Sequence, residues 1–434
     1  MRMVAFSFRA AGAAVLAARF HLGSSGRRAA SVWSFGDNSN GALGITTPLV
    51  DAYEPTKVPL LPSTVTSVAA GHYHSLAVTA EGEVWAWGRN VEGQLGRGPD
   101  APRDTWSKPE KVLGLEQVKV HAAYASGVVS AAIGNDGSLW VWGRSKRGQL
   151  GLGEGVVETI KPSKVEAFLG HEISKVSFGW GHALARTKDG KLFGWGYAEN
   201  GRLGKMWESS LCSMSHYLNS DRSLEKSVTL LEAAEKIEEE NMPIIWEPTV
   251  VQELSSIEVS DVACGLDHSL VLCCDDILLS CGDNTYGQLG RKTEASKMLP
   301  VPIDFHPLYV SAGLGHTLVL YQTPAVRDTD WNTGILSWGW NQSSQLGRQG
   351  QEDIPAPVEG VEGERIISVS AGRVHSIALT SKGEVLAWGS GRNGKLGLQS
   401  SADETVPAFV DCLEGFHVMQ VVAGFDHTLA LVVD

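Results

Sequence analysis

VWAWGRNVEGQLG, residues 84–96, returns six more times along a chain of 434 residues. The copies are VWSFGDNSNGALG from Val32, LWVWGRSKRGQLG from Leu139, LFGWGYAENGRLG from Leu192, LLSCGDNTYGQLG from Leu278, ILSWGWNQSSQLG from Ile335 and VLAWGSGRNGKLG from Val385. Each opens on an apolar alternation that suits a strand and closes in glycine turns. The strand is apolar on both sides, as a sheet stacked between two others requires. The final glycines are spaced by 52, 55, 53, 86, 57 and 50 residues, so one interval carries a surplus of about 33.

A second unit precedes each later copy. It reads AGHYHSLAV from Ala70, FGWGHALAR from Phe178, CGLDHSLVL from Cys264, AGLGHTLVL from Ala312 and AGRVHSIAL from Ala371. A degenerate copy, ASGVVSAAI from Ala125, has Val129 where the others carry His, and AGFDHTLAL from Ala423 runs into the end of the chain. The repeat therefore begins with its second half and ends with its first. Such a permutation lets both ends of the chain complete one sheet and tie a ring shut. The expectation is an all-β, seven-bladed β-propeller over residues 31–434, closed by strands from both termini, with one helical insertion at 205–246. Blades of about 40–45 residues with a Trp-Asp pair do not fit, and neither do kelch blades, because no two of the 49 glycines are adjacent.

Composition narrows the function. Hydrophobic residues are 43% and charged residues 20%, which supports a folded core, and no run is long and apolar enough to span a membrane. The net charge is −13, with five arginines and no acid in the first 30 residues, so the rest of the chain holds 31 basic against 49 acidic groups. A body this acidic repels a phosphate backbone; direct DNA binding is not expected and proteins are the expected partners. Six cysteines without a CxxC pair argue against a disulfide framework and a zinc site. Residues 1–30, rich in Ala, Arg, Ser and Phe, read as an organellar transit peptide, mitochondrial rather than chloroplast.

The Ala-Gly-x-x-His-Ser/Thr unit followed by Trp-Gly-x-Asn-x-x-Gly-Gln-Leu-Gly resembles the repeat of the regulator of chromosome condensation family. Among its members the chain most resembles plant mitochondrial proteins that are themselves likened to the condensation regulator and the UV-B photoreceptor. The resemblance implies a mitochondrial matrix protein, with chloroplast or nucleus as alternatives. It further implies a non-enzymatic interaction scaffold supporting organellar transcript splicing and complex I biogenesis, its partners being RNA-processing or ribosome factors. The alternative it implies is a guanine-nucleotide exchange factor for a GTPase. The photoreceptor's tryptophan cluster is not repeated: Trp180 has His72, Leu266, Leu314, Arg373 and Phe425 as counterparts.

Neither catalytic, cofactor-binding nor metal-binding residues emerge. His74, His182, His268, His316, His375 and His427 recur at one repeat position and are expected to be scaffold, each ring bonding its own blade's backbone. Trp85, Trp87, Trp140, Trp142, Trp195, Trp338 and Trp388 are expected to be blade core. The insertion carries eight acidic and four basic residues, and Leu224, Val228, Leu231 and Ala234 share one face of an expected helix over Ser223–Asn241. Trp207, Leu224, Val228, Leu231 and Ile237 are the candidate partner-binding residues.

Overall fold

A computed structural model describes residues 29–45, 49–99, 101–205, 243–292, 297–323 and 332–434. Numbered in chain order, its strands run from β1 (Ala30–Asp37) and β2 (Asp51–Lys57) to β27 (His417–Ala423) and β28 (His427–Val433). They form seven antiparallel sheets of four strands each, the blades of a propeller. Blade 1 has the order β2-β1-β28-β27, with Ala30 opposite Val433 and Gly36 opposite His427. Blades 2 to 7 follow in chain order, each from one continuous stretch: 65–111, 120–164, 173–250, 259–300, 306–357 and 366–409. Among the described residues helical turns are three-residue 3₁₀ segments. The expected helical insertion and most of the expected leader lie outside the described residues.

The first strand of each blade lies innermost, against its counterparts in the neighbouring blades. Because the strands alternate in direction, the Ala-Gly-x-x-His loop and the glycine turn after the third strand share one end of the ring. We call that end the loop face.

Blades are joined by a buried hydrogen-bond chain that explains the constant residues. His74 Nε2 meets Ser130 Oγ of the next blade at 2.7 Å, His182 meets Ser269 at 2.9 Å, His268 meets Thr317 at 3.2 Å and His316 meets Ser376 at 3.1 Å. His375 meets Thr428 at 3.2 Å, and His427 meets Ser75 at 2.9 Å, carrying the pattern across the closing blade. Each hydroxyl donates in turn to a carbonyl in the glycine turn of the blade that supplied the histidine, as Ser130 Oγ does to Gln94 O at 2.8 Å. The hydroxyl proton is thus committed, so the ring must donate from Nε2, and burial, which lowers the pKa of all six rings, keeps them neutral. Trp87, Trp142, Trp195, Trp338 and Trp388, all fully buried, donate to the same type of carbonyl at 2.8–2.9 Å.

The histidines are therefore scaffold, but their bond goes to the neighbouring blade's hydroxyl, which corrects the expected bond to their own backbone. Val129 fits the rule: the hydroxyl it would have met is replaced by Ala183, so acceptor and donor are missing together. At that seam apolar packing among Val129, Phe178, Ala183 and Trp195 takes the place of the histidine bond, and the Gln149 side-chain amide donates across it to Gly179 O at 2.6 Å and His182 O at 3.2 Å. Of the expected core tryptophans, Trp85 and Trp140 are only half-buried.

One glycine turn departs from its siblings. Ser344 sits at φ 62° where the other copies place Gly41, Gly93, Gly148, Gly201, Gly287 and Gly394 at 70–78°. A Cβ in this left-handed region is strained. Ser344→Gly is expected to raise stability by about 0.5–1 kcal/mol, read as a higher denaturant midpoint at unchanged slope; an unchanged or lower midpoint would show the serine to be unstrained.

Candidate functional site

The seven Ala-Gly-x-x-His loops converge on the propeller axis and bond to one another. Trp180 N–H donates to Leu266 O at 3.0 Å, Leu266 N–H to Leu314 O at 3.2 Å, Leu314 N–H to Gly372 O at 3.3 Å and Phe425 N–H to Gly71 O at 3.1 Å. The glycine that six of the loops carry, where blade 3 has Ser126, allows this approach: a Cβ on Gly313 would lie 2.4 Å from Gly372 O. The residue after that glycine projects at the hub, and in blade order it is Phe425, His72, Gly127, Trp180, Leu266, Leu314 and Arg373. A second ring surrounds it, from the residue after the third-strand glycine: Asp37, Arg89, Arg144, Tyr197, Asp283, Trp340 and Ser390.

The two rings make an aromatic and arginine-rich surface. His72 stacks on Trp180 with centroids 5.3 Å apart and packs on Phe425 at 4.2 Å, while the Arg373 guanidinium lies 4.7 Å over Phe425. Arg147 and Arg202 lie 5.2 Å and 4.7 Å over Tyr197. Trp180 is 46% exposed, unlike the buried blade tryptophans. Burial lowers His72 to a pKa of about 4, so it is a neutral plate beneath the indole at physiological pH.

A hollow of about 470 Å³ opens beside Trp180, lined by residues from blades 1 and 3 to 6. Arg147, Tyr197, Glu199, Arg202, Asp267, Asp283 and Leu314 supply most of its chemistry. Arg202, 2% exposed, is paired with Asp267. Burial alone would raise Asp283, but the Thr285 hydroxyl and amide and the Gln288 amide outweigh it and hold the carboxyl below its usual range. Gly181 makes room for Arg147, whose Cδ would lie 2.5 Å from a Cβ there. A second hollow of about 520 Å³ is lined by residues of blades 5 and 6, with Tyr286 stacked on Trp340 at 5.4 Å.

Trp207, Leu224, Val228, Leu231 and Ile237 lie outside the described residues. The chain re-enters at Pro243, whose carbonyl accepts the N–H of Ala198, next to Tyr197 and Glu199. Trp180 and its counterparts were readable as one repeat position, but only ring closure brings them to one axis. The surrounding ring was missed; its signal is the variable residue directly after the glycine that all seven third strands share. Among the described residues no three His, Cys, Asp or Glu side chains are grouped to hold a metal ion.

A profile of the RCC1-like domain matches residues 31–430. The ultraviolet-B receptor UVR8 of Arabidopsis thaliana is 28% identical over 88% of this chain and 78% of its own length. The secretion-regulating guanine nucleotide exchange factor of Bos taurus is 32% identical over 68% of this chain and 61% of its own. Among solved structures, Prp20p of Saccharomyces cerevisiae, described together with its binding to Gsp1p and histones, superimposes with a TM-score of 0.74 at 23% identity. The superposition covers 94% of this chain and 92% of Prp20p.

Proposed function

The chain belongs to the RCC1-like domain family, and from that membership we propose a non-enzymatic protein-interaction scaffold that receives partners on its loop face. The observation that carries this reading is the contrast inside the repeat. Six of the seven seams make the same histidine-to-hydroxyl bond, so the histidine, the hydroxyl and the closing glycine of the turn barely vary. The two axial rings vary at almost every blade, so the fold does not dictate them. Seven of their fourteen residues, Trp180, Trp340, Tyr197, Phe425, Arg89, Arg144 and Arg373, are of the types enriched at protein interfaces.

The compartment in this proposal is the mitochondrial matrix, supported by the arginine-rich, acid-free residues 1–30. There the resemblance to plant mitochondrial members supports a role in transcript splicing and complex I biogenesis, reached through RNA-processing or ribosome proteins because the acidic body disfavours gripping RNA. The insertion residues Trp207, Leu224, Val228, Leu231 and Ile237 form a further part of the proposed partner surface.

Introducing Glu at Leu314 and Tyr286 is expected to remove specific mitochondrial proteins from those that co-purify with the full chain, with no change in melting temperature. If the same proteins still co-purify, the loop face is not the docking surface. A fluorescent fusion should enter mitochondria only with residues 1–30; nuclear signal with and without them would defeat the compartment. A second reading, guanine-nucleotide exchange, is favoured by the 32% identity to an exchange factor. It requires faster release of labelled GDP from a candidate GTPase, and no acceleration across the GTPases of the compartment would remove it.

A further inference from the structure

Deepening that docking reading, and resting on it, we infer that the hollow beside Trp180 is an anchor site for an arginine or lysine side chain on a basic segment of the partner protein. The charges in the hollow are unequal. Arg202 and Asp267 neutralise one another, and Arg147 lies flat on Tyr197. Glu199 and Asp283 then leave two carboxylates against that single cation. Asp283 is fixed by Thr285 and Gln288, so its carboxylate is already oriented before a ligand arrives.

Aromatic faces complete the site. Trp180 has one neighbour stacked on it, His72, and leaves nearly half its surface open in the same hollow as Asp283. An indole face with fixed carboxylates nearby suits a guanidinium or ammonium group, which gains both cation–π attraction and a charge-assisted hydrogen bond. Leu266, Leu314 and Phe425 around it are half-buried and would contact the alkyl stem of such a side chain. The long-range field has the same sign: outside the first 30 residues acidic groups outnumber basic ones 49 to 31, which draws a basic segment in and repels an acidic one.

Arg147 in the hollow, with Arg144 and Lys146 close to it in the sequence, offers the opposite choice, an acidic ligand. The decisive measurement is fluorescence anisotropy of labelled (Arg-Gly-Ser)₄, (Lys-Gly-Ser)₄ and (Glu-Gly-Ser)₄ peptides added to the full chain. The Arg and Lys peptides are expected to bind and the Glu peptide to fail. Trp180→Ala and Asp283→Asn should each weaken binding at least tenfold. Glu116→Gln, which makes the same change in net charge at an exposed turn away from the loop face, should shift it less than twofold. Preference for the Glu peptide, or equal weakening by all three substitutions, would overturn the anchor. Partners lost on introducing Glu at Leu314 and Tyr286, with peptide binding indifferent to Trp180→Ala and Asp283→Asn, would sink the anchor alone and leave the docking face intact.

Discussion

Acidifying the protein from pH 7 to pH 5 is expected to remove about 8 kcal/mol of folding stability through four buried histidines, with a further loss through His182 and His375. Burial lowers His74 and His316 to about 3 and His268 and His427 to about 4, and it takes His182 and His375 well below the ordinary value of 6.5. The fold holds these rings neutral, with Nε2 donating to a hydroxyl, while the unfolded chain protonates them below pH 6.5. The folded pKa lies under the unfolded one, so the unfolded state binds more protons in that window. Stability is complete above about pH 6.5 and falls as the pH drops towards 4. At pH 5 each of His74, His268, His316 and His427 contributes about 2 kcal/mol less than at neutrality.

Four such losses are comparable with the roughly 5–15 kcal/mol that holds most domains together. Urea midpoints or thermal midpoints by circular dichroism, taken between pH 8 and pH 5, read the effect directly. A midpoint unchanged over that range would mean that the rings are solvated or already charged in the fold, and the inter-blade hydrogen-bond chain would have to be abandoned. His268→Gln should make the pH dependence measurably shallower, because one of the six titrating rings is gone.

Reading the sequence reached the ring because each blade solves the same packing problem and therefore repeats the same residues. Gly44 to Gly397 mark the period, and the pairing of β1 with β28 is what a chain starting in mid-repeat would need. The partner of each histidine was legible in principle. The residue after it is Ser or Thr in every copy except Ala183, and the blade before Ala183 is the one with Val129 in place of His. That correlation runs between blades, about 53 residues apart, and is invisible within a single copy. The axial site was less legible for a related reason. His72, Trp180, Leu314 and Phe425 are spread over some 350 residues, and nothing local says that they meet. Their variability reads as noise around a motif until closure places them side by side.

The same inter-blade logic predicts the largest loss from a single side chain outside the histidines. Lys395 is fully buried in the glycine turn of blade 7, and its Nζ pairs with Asp426, which directly precedes His427 of the closing blade. Burial pushes the Lys395 ammonium down and Asp426 pushes it back up. Arg202 and Asp267 occupy the same two repeat positions at the seam between blades 4 and 5. Two other seams use a neutral arrangement at these positions, Gln94 with Val128 and Gln345 with Val374. Asp426→Val is therefore expected to cost about 3–5 kcal/mol, because it leaves an ammonium desolvated without its counter-charge. The added change Lys395→Gln rebuilds the neutral arrangement already used by those seams and should return stability to within about 1 kcal/mol of the native protein, since a buried ion pair gains little over a well-packed neutral one. Denaturant midpoints of the two single variants and the double variant give the coupling. If Asp426→Val loses as much with Lys395→Gln as without it, the loss belongs to the Arg373 contact that Asp426 also makes at 2.7 Å. The closing seam would then be held by its strands and not by this pair.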